Sequence, residues 1–191
     1  NVGFLASLPR EDWEPGLEAI LGGDYRVVEL LTVDVRLNGE QRSAVNDVIL
    51  SRLAPRHVLQ LEYEVAGVTV GRMFCDGLII ASPTGSTAYN LSCGGPIVEW
   101  NADVLVLNFI APHSLGFRPV VLRPEHVITA RNVSPQQECE VVADGDVVGR
   151  LCCGDEVRVT AGRQVAHLLM QSEGSFYQNV EEKLFDRRDA R

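Results

Sequence analysis

The sequence lacks the features that would assign it to a membrane or to nucleic acid. No apolar run approaches the roughly 20 residues that a membrane-spanning helix needs, and the first residues do not resemble a signal peptide. Basic residues number 17 against 26 acidic ones, and the net charge is -9. Because proteins that bind nucleic acids usually present a basic face, we expect no nucleic-acid partner and no membrane association.

The cysteines also lack a functional spacing. Their number is odd, five, and neither a Cys-x-x-Cys pair nor a pair of histidines provides a zinc site. We therefore expect reduced thiols, no metal ligands and a cytoplasmic protein. The chain begins with Asn1 rather than methionine, so we expect the natural protein to begin earlier.

The pattern that is present is one of short strands. The chain has 191 residues, 46% of them hydrophobic, which is enough for a substantial core. Alternating residues over 25–37 predict a strand, and Asn38-Gly39 is typical of a two-residue hairpin turn. Further strands are predicted at 44–50, 58–65, 68–74, 104–110, 120–122, 126–132, 139–143, 147–151, 156–161 and 165–170. Many short strands of this kind predict a mostly β (α+β) fold built on an antiparallel β-sandwich-like domain.

A few other local signals accompany the strands. Helices are predicted at 9–21, closed by Gly22-Gly23, and at 175–185. Turns are predicted at Ala66-Gly67 and at Asp144-Gly145, the latter an acidic hairpin turn. These elements leave the region around residue 80 as the part of the sequence that points to a function.

Residues 75–96 read as a strand, a tight turn and a helix. An apolar run at 78–81 precedes Pro83 and Gly85, and Ser86 or Thr87 is predicted to cap a helix that reaches Cys93. The unpaired N–H groups and hydroxyls of such a turn suit a phosphate or a sugar. The alternative is an ordinary strand-to-helix connection whose hydroxyls only cap the helix. No Gly-Lys-Ser/Thr follows the glycine, so the turn is not a Walker P-loop.

The string Asp-Gly-Leu-Ile-Ile-Ala-Ser-Pro-Thr-Gly-Ser-Thr-Ala-Tyr-Asn-Leu-Ser-Cys-Gly-Gly-Pro at 76–96 resembles the signature of the NAD kinases. These enzymes phosphorylate the adenosine ribose 2′-hydroxyl of NAD to make NADP. The loop 112–119 and the segments 3–5 and 176–184 also resemble the family, so the resemblance covers essentially the whole chain. It implies the end of an N-terminal α/β nucleotide-binding domain with a linker helix at 1–23, a β-rich substrate-binding domain at 24–170, and a C-terminal helix at 171–191 that returns to the α/β domain.

The resemblance also implies a set of NAD-binding residues. Asn46 corresponds to an amide that reads the adenine, and Asp47 replaces a glutamate that holds the ribose hydroxyls. Asp76 corresponds to a carboxylate at the nicotinamide end, and Asp146 replaces a glutamine near the substrate. The remaining implied contacts are Phe4, near the adenine, His57, Thr87, Ala88, Tyr89, Asn90, Leu91 and Ser92.

The catalytic base implied by the family is not in this chain. NAD kinases carry a Gly-Gly-Asp-Gly motif whose aspartate is taken as the base, and no such motif occurs here. Gly22-Gly23-Asp24 is followed by Tyr25, and we interpret it as a helix-ending turn. We therefore name no catalytic residue and expect the chain alone to lack kinase activity. The phosphate donor would be ATP or polyphosphate with a divalent metal such as Mg²⁺.

The same reasoning leaves two alternative functions open and also predicts an oligomer. A regulatory or lipid-kinase relative would keep the scaffold and bind another polar head group, whereas a purely structural β-sandwich would leave the hydroxyls at 84–92 unexplained. Strand 104–110 is apolar at nearly every position and strand 58–65 at most positions, which predicts burial on both faces. Together with the resemblance, this predicts a homodimer or homotetramer, unless another domain of the same chain covers those faces.

Overall fold

The computed structural model describes residues 4–5, 10–54, 57–170 and 176–185. The described residues fall into two compact units. One unit combines those before Leu30 with those after Ala166, and the other extends from Leu30 to Ala166. These boundaries lie a few residues from the predicted divisions at 23/24 and 170/171. The predicted contributions of Gly3, Pro9 and Ser175 fall outside the described residues.

Two six-stranded sheets make up most of the described structure, which confirms the prediction of a mostly antiparallel β-sandwich. The strands are β1 (Arg26–Leu37), β2 (Glu40–Ala44), β3 (Asp47–Arg52), β4 (Leu59–Val65), β5 (Val68–Cys75), β6 (Gly77–Ala81), β7 (Leu105–Ile110), β8 (Val120–Leu122), β9 (Ile128–Asn132), β10 (Cys139–Ala143), β11 (Asp146–Leu151) and β12 (Glu156–Met170). Sheet A has the order β2-β1-β12-β9-β4-β5, and sheet B has the order β11-β10-β3-β6-β7-β8.

Three two-residue hairpin turns confirm the predicted turns at Asn38-Gly39, Ala66-Gly67 and Asp144-Gly145. In each turn both residues have a left-handed backbone, with φ from 47° to 53° at the first residue and from 78° to 90° at the glycine. Two successive left-handed residues are the requirement of a type I′ turn, whose twist matches that of the strands it joins. The sequence signal worked here because the turn depends only on its own residues.

The core lies between the inner faces of the two sheets. Val33, Val35 and Leu37 of β1 are buried in it at alternate positions, as the period-2 pattern predicts. At its centre, the ring of Phe109 makes edge-on contacts with Tyr63 and Phe117, with centroids 5.2 Å and 4.9 Å apart. Such aromatic contacts add to the free energy gained from burial.

The outer face of sheet B is covered by the chain itself. Ile79, Ala81 and Val106 point to this face and are fully buried, and Cys93 and Val98 pack against them. The predicted burial on both faces is therefore present in β7, where the segment between β6 and β7 provides the cover. Burial of β7 consequently does not require a second subunit. The same prediction for 58–65 was wrong, because β4 alternates the buried Leu59 and Leu61 with polar residues that are only part-buried.

Two strand predictions need correction. The strand predicted at 44–50 is interrupted, because β2 ends at Ala44 and β3 begins at Asp47. The two strands predicted at 156–161 and 165–170 are instead the single strand β12. In the first case the backbone N–H groups at 45 and 46 leave the ladder and bond to a distant side chain, which a local pattern does not reveal.

The helix predicted after Gly85 is also different. A 3₁₀ turn at Thr84–Thr87 is followed by one turn of helix, α2 (Tyr89–Ser92), and no side chain caps either element. The Ser86 and Thr87 hydroxyls instead donate to the carbonyls of Pro83 and Thr84. The prediction that these hydroxyls cap the helix was wrong, because both bond back into their own turn.

The first unit contains the two predicted terminal helices. A 3₁₀ turn at Arg10–Asp12 leads into α1 (Trp13–Leu21), which ends at Gly22 as predicted. Helix α3 (Phe176–Val180) continues as a π-helical turn at Glu181–Phe185. In the described part of the chain, no helix combines the length and apolar character needed to cross a bilayer.

A matched pair of leucines tests the position of the core. Leu107 on β7 is 1% exposed, whereas Leu115 in the following loop is 99% exposed. We expect Leu107→Ala to lower the free energy of unfolding by about 2–5 kcal/mol, and Leu115→Ala to change it by less than about 0.5 kcal/mol. Urea unfolding of the two variants measures this, and equal losses would contradict the assignment of the core.

Candidate functional site

The break between β2 and β3 contains Asn46 and Asp47, and a carboxylate holds it in place. Asp144 Oδ2 accepts the N–H of Val45 at 2.6 Å. Its Oδ1 accepts the N–H groups of Asn46 at 2.8 Å and of Asp47 at 3.2 Å. In return, the N–H of Asp144 donates to the carbonyl of Asp47 at 3.1 Å. The acidic turn predicted from the sequence thus fixes the backbone of the two residues that the resemblance assigns to NAD.

The turn after β6 holds the same break from the opposite side. The N–H of Ser82 donates to the carbonyl of Asn46 at 2.8 Å, and its hydroxyl donates to the carbonyl of Val45 at 2.6 Å. Gly85 lies so close that a Cβ atom at this position would overlap the carbonyl of Asn46. Three separate parts of the sequence, at 45–47, 82–85 and 144, therefore meet at one place.

Asp47 is an unusual carboxylate. It is 5% exposed, and the described part of the chain contributes no hydrogen bond to its side-chain oxygens. Burial is the larger cause and the nearby charge of Asp144 the smaller one, and together they raise the pKa of Asp47 from 3.8 to about 6. A buried carboxylate with a perturbed pKa and free acceptor oxygens is typical of a functional position.

The segment after Ser82 presents one surface outward and buries another. Thr87 and Leu91 are partly exposed, and Ala88, Tyr89 and Ser92 are exposed. These predicted NAD-binding residues are therefore accessible to a ligand.

Asn90, also predicted to bind NAD, is buried. Its amide nitrogen donates to the carbonyls of Ser86 and Pro96, and its oxygen accepts from Asn108 on β7. Gly95 packs so closely on this side chain that a Cβ atom would overlap it. Asn90 therefore connects the segment 86–96 to sheet B through its hydrogen bond with Asn108.

Asp76 lies at the opposite end of β6 from Ser82. It precedes β6 and Ser82 follows that strand, so the two are roughly 20 Å apart at about 3.3 Å per residue. Asp76 pairs with Arg52 at 3.0 Å. Burial raises the pKa of Tyr89, and the nearby Cys93 and Asp76 raise it further in the same direction. We refer to the predicted residues 46–47, 76 and 87–92, which lie at the two ends of β6 and in the segment that follows it, as the band.

Three predicted residues lie outside this band. His57 lines a separate cavity of about 310 Å³ with Phe74 and Gln137. Asp146 is exposed at the start of β11, directly after the acidic turn. Phe4 belongs to the other unit, where its ring contacts Phe176 edge-on at 5.8 Å between centroids.

Residues 84–92 and 46–47 could be found from the sequence, but the residues that join them could not. Asp144 contacts a segment almost a hundred positions earlier, and Arg52 pairs with Asp76 across 24 positions. Neither pair leaves a local pattern. Within the described ranges, no group of three or more His, Cys, Asp and Glu side chains could hold a metal ion. All five cysteines are free.

Comparisons with known proteins agree with this architecture. Residues 45–170 match the model of the ATP-NAD kinase C-terminal domain. The chain is 35% identical to the NAD kinase of Geobacter sulfurreducens and 36% identical to that of Heliobacterium modesticaldum. Each alignment covers 96% of this chain, and 66% and 67% of those proteins. The chain thus spans about two thirds of the length of these curated relatives.

Solved structures show the same fold. A crystal structure of yeast NADH kinase complexed with NADH has a TM-score of 0.89 at 24% identity, and covers 99% of this chain and 59% of that one. An NAD kinase from Archaeoglobus fulgidus in complex with ATP has a TM-score of 0.78 at 27% identity, and covers 94% and 68%. The β-sandwich is that of an NAD kinase C-terminal domain. The chain belongs to the NAD kinase family.

The raised pKa of Asp47 predicts a pH-dependent stability. A carboxyl group whose pKa is higher in the folded state stabilises the fold at low pH, and this contribution is lost as the pH rises from about 4 to about 6. The loss is on the order of 3 kcal/mol. Asp47→Asn cannot ionise, so we expect it to match the wild type near pH 4 and to be more stable at pH 7.

Urea unfolding at five pH values from 4 to 8 tests this, with Asp146→Asn as the control for removing an exposed charge. A wild type whose stability rises between pH 4 and pH 6 relative to Asp47→Asn would contradict the prediction.

Gly85 provides a second test of the site. An alanine at this position has to displace the carbonyl of Asn46, so we expect Gly85→Ala to lower the free energy of unfolding by about 1–3 kcal/mol. A Cβ atom at Gly116 meets nothing within 4 Å, so Gly116→Ala is the matched control. Similar unfolding midpoints in the two variants would show that the close approach at Asn46 does not exist in solution.

Proposed function

We propose that this chain is the substrate-binding part of an NAD kinase, which phosphorylates the adenosine ribose 2′-hydroxyl of NAD to give NADP. The observation that carries the proposal is the junction at Asn46-Asp47. There, a buried carboxylate with free acceptor oxygens lies beside the turn 82–87. A carboxylate that accepts from two neighbouring hydroxyls is a common way to bind ribose.

Each part of the dinucleotide is assigned to different predicted residues of the band. Asp47 accepts from the adenosine ribose hydroxyls, and the Asn46 amide reads the adenine. The exposed face of 87–92 lines the middle of the ligand, and Asp76, held by Arg52, lies at the nicotinamide end. Such a site aligns the ribose hydroxyl for attack, and alignment is a large part of the catalysis of phosphoryl transfer. Phe4, His57 and Asp146 remain predicted contacts.

The phosphate donor is proposed to be ATP, in keeping with the ATP complex of the Archaeoglobus fulgidus relative. Polyphosphate is the second candidate, and competition between the two donors in a kinase assay distinguishes them. The described residues do not include a set of ligands that fits a divalent metal, so no step is assigned to one in this chain.

A lipid-kinase or regulatory relative is the rival function. Such a protein would keep the sandwich and bind a different polar head group. The match of 45–170 to the ATP-NAD kinase C-terminal domain favours the dinucleotide. Calorimetric titration with NAD, NADP and diacylglycerol separates the candidates, because each predicts a different ligand. Binding of diacylglycerol without NAD would reject the kinase proposal.

We further propose a cytoplasmic homodimer or homotetramer in which a neighbouring subunit closes the nicotinamide end near Asp76 and Tyr89. Tyr89 is 44% exposed, and Asp76 is part-buried, so both are accessible to a neighbour. Light scattering at micromolar concentration tests the assembly. A monomeric mass would mean that one subunit completes the site.

A pair of aspartates tests the ribose assignment. We expect Asp47→Ala to weaken NAD binding by about 1.5–3 kcal/mol, or roughly 10- to 150-fold, because a charge-assisted hydrogen bond to the ribose is lost. Asp146 is exposed and lies outside the band, so Asp146→Ala should have a smaller effect. Isothermal titration calorimetry measures both variants. Equal affinities would reject the role of Asp47.

A further inference from the structure

The backbone at residues 45–47 depends on one side chain from another hairpin. Because β2 ends at Ala44 and β3 begins at Asp47, the N–H groups of Val45 and Asn46 are not bonded in the strand pairing at this break. Asp144 accepts both of them and the N–H of Asp47, over distances of 2.6–3.2 Å. A carboxylate suits this task, since its two oxygens accept several hydrogen bonds and donate none.

We propose that Asp144 is a positioning residue for the dinucleotide site. Its carboxylate holds the backbone of Asn46 and Asp47 in the orientation that meets the ligand, and it places a second negative charge beside the Asp47 side chain. The inference rests on the proposed function, because it assigns Asn46 and Asp47 to NAD. Asp144 is not placed in contact with the ligand, so it acts through its two neighbours.

The geometry favours this role over that of a simple turn residue. A type I′ turn at 144–145 needs only a left-handed backbone, which asparagine or glycine adopts as readily as aspartate. Neither alternative supplies two acceptor oxygens. With asparagine, an NH₂ group replaces one of the two carboxylate oxygens and faces a backbone N–H. At least one of the three hydrogen bonds to residue 144 is then lost, because two donors oppose each other.

The charge of Asp144 has a second consequence. Burial raises the pKa of Asp47, and the charge of Asp144 acts in the same direction. Asp144 and the exposed Asp146 are the two ionisable groups of the acidic turn, and the opposite side of the junction, from Gly77 to Thr87, carries no ionisable side chain. Removing the charge at 144 should therefore lower the pKa of Asp47.

The test uses calorimetric titration of NAD into the wild type, Asp144→Ala and Asp144→Asn, with Asp103→Ala as the control for removing an exposed carboxylate. We expect Asp144→Ala to bind NAD at least about tenfold more weakly, since three charge-assisted hydrogen bonds are lost. Asp103→Ala should remain within about twofold, because it removes the same charge but contacts none of the three N–H groups. Amide hydrogen exchange at 45–47 in the absence of NAD should become faster in Asp144→Ala alone.

A pH profile separates positioning from general stability. In the wild type, NAD affinity should fall as the pH is lowered through about 6, where Asp47 takes up a proton. In Asp144→Asn, which keeps the side-chain shape, the midpoint of this fall should move to lower pH. A merely structural role would change the affinity at every pH and leave the midpoint in place.

The outcomes are distinguishable. If the wild type fails to bind NAD, the proposed function itself is rejected. If the wild type binds but Asp144→Ala binds within twofold of it, the positioning role is overturned. If Asp144→Ala is unfolded, Asp144→Asn decides, and a midpoint equal to that of the wild type also overturns the proposal.

Discussion

The register of sheet B is the constraint on which the site depends. In the antiparallel pairing of β3 with β6, Asp47 lies opposite Ala81, and in the pairing with β10, Val48 lies opposite Ala143. Residues that follow Ala81 and Ala143 therefore emerge on either side of Asn46-Asp47. A shift of the register by one residue would also turn the core side chains of β3 outward, so burial of the core stabilises the site geometry as well.

The site combines a buried carboxylate, which destabilises the fold, with a main chain that hydrogen bonds and close packing hold in place. Burying Asp47 raises its pKa and destabilises the folded chain near neutral pH, since the ionised carboxylate loses hydration. Hydrogen bonds from three backbone N–H groups and the close packing of Gly85 hold the surrounding main chain in place. A destabilised carboxylate on a rigid frame is an arrangement expected of a binding site rather than of a stabilising core.

The sequence interpretation failed where hydrogen bonds from side chains decided a local conformation. The strand predicted at 44–50 breaks because Asp144 offers its backbone N–H groups another acceptor. The helix predicted after Gly85 becomes a 3₁₀ turn because the Ser86 and Thr87 hydroxyls bond to their own turn, and Ser86 Oγ also accepts the N–H of Val98. Asp144 and Val98 lie outside the window in which local propensity is judged. The carbonyls of Pro83 and Thr84, by contrast, lie within it and compete with the helix locally.

The sequence alone predicts the mostly β fold, the three hairpin turns, the family and the residue types of the candidate site. Period-2 burial, left-handed turn residues and the motif at 76–96 are local properties, so they can be found without the structure. Tertiary structure alone decided that Asp144, Asn46 and Ser82 meet, that Asn90 is buried, and that the chain covers the outer face of β7 itself. These features depend on pairing between segments far apart in the chain, and such contacts leave no periodic trace in one sequence.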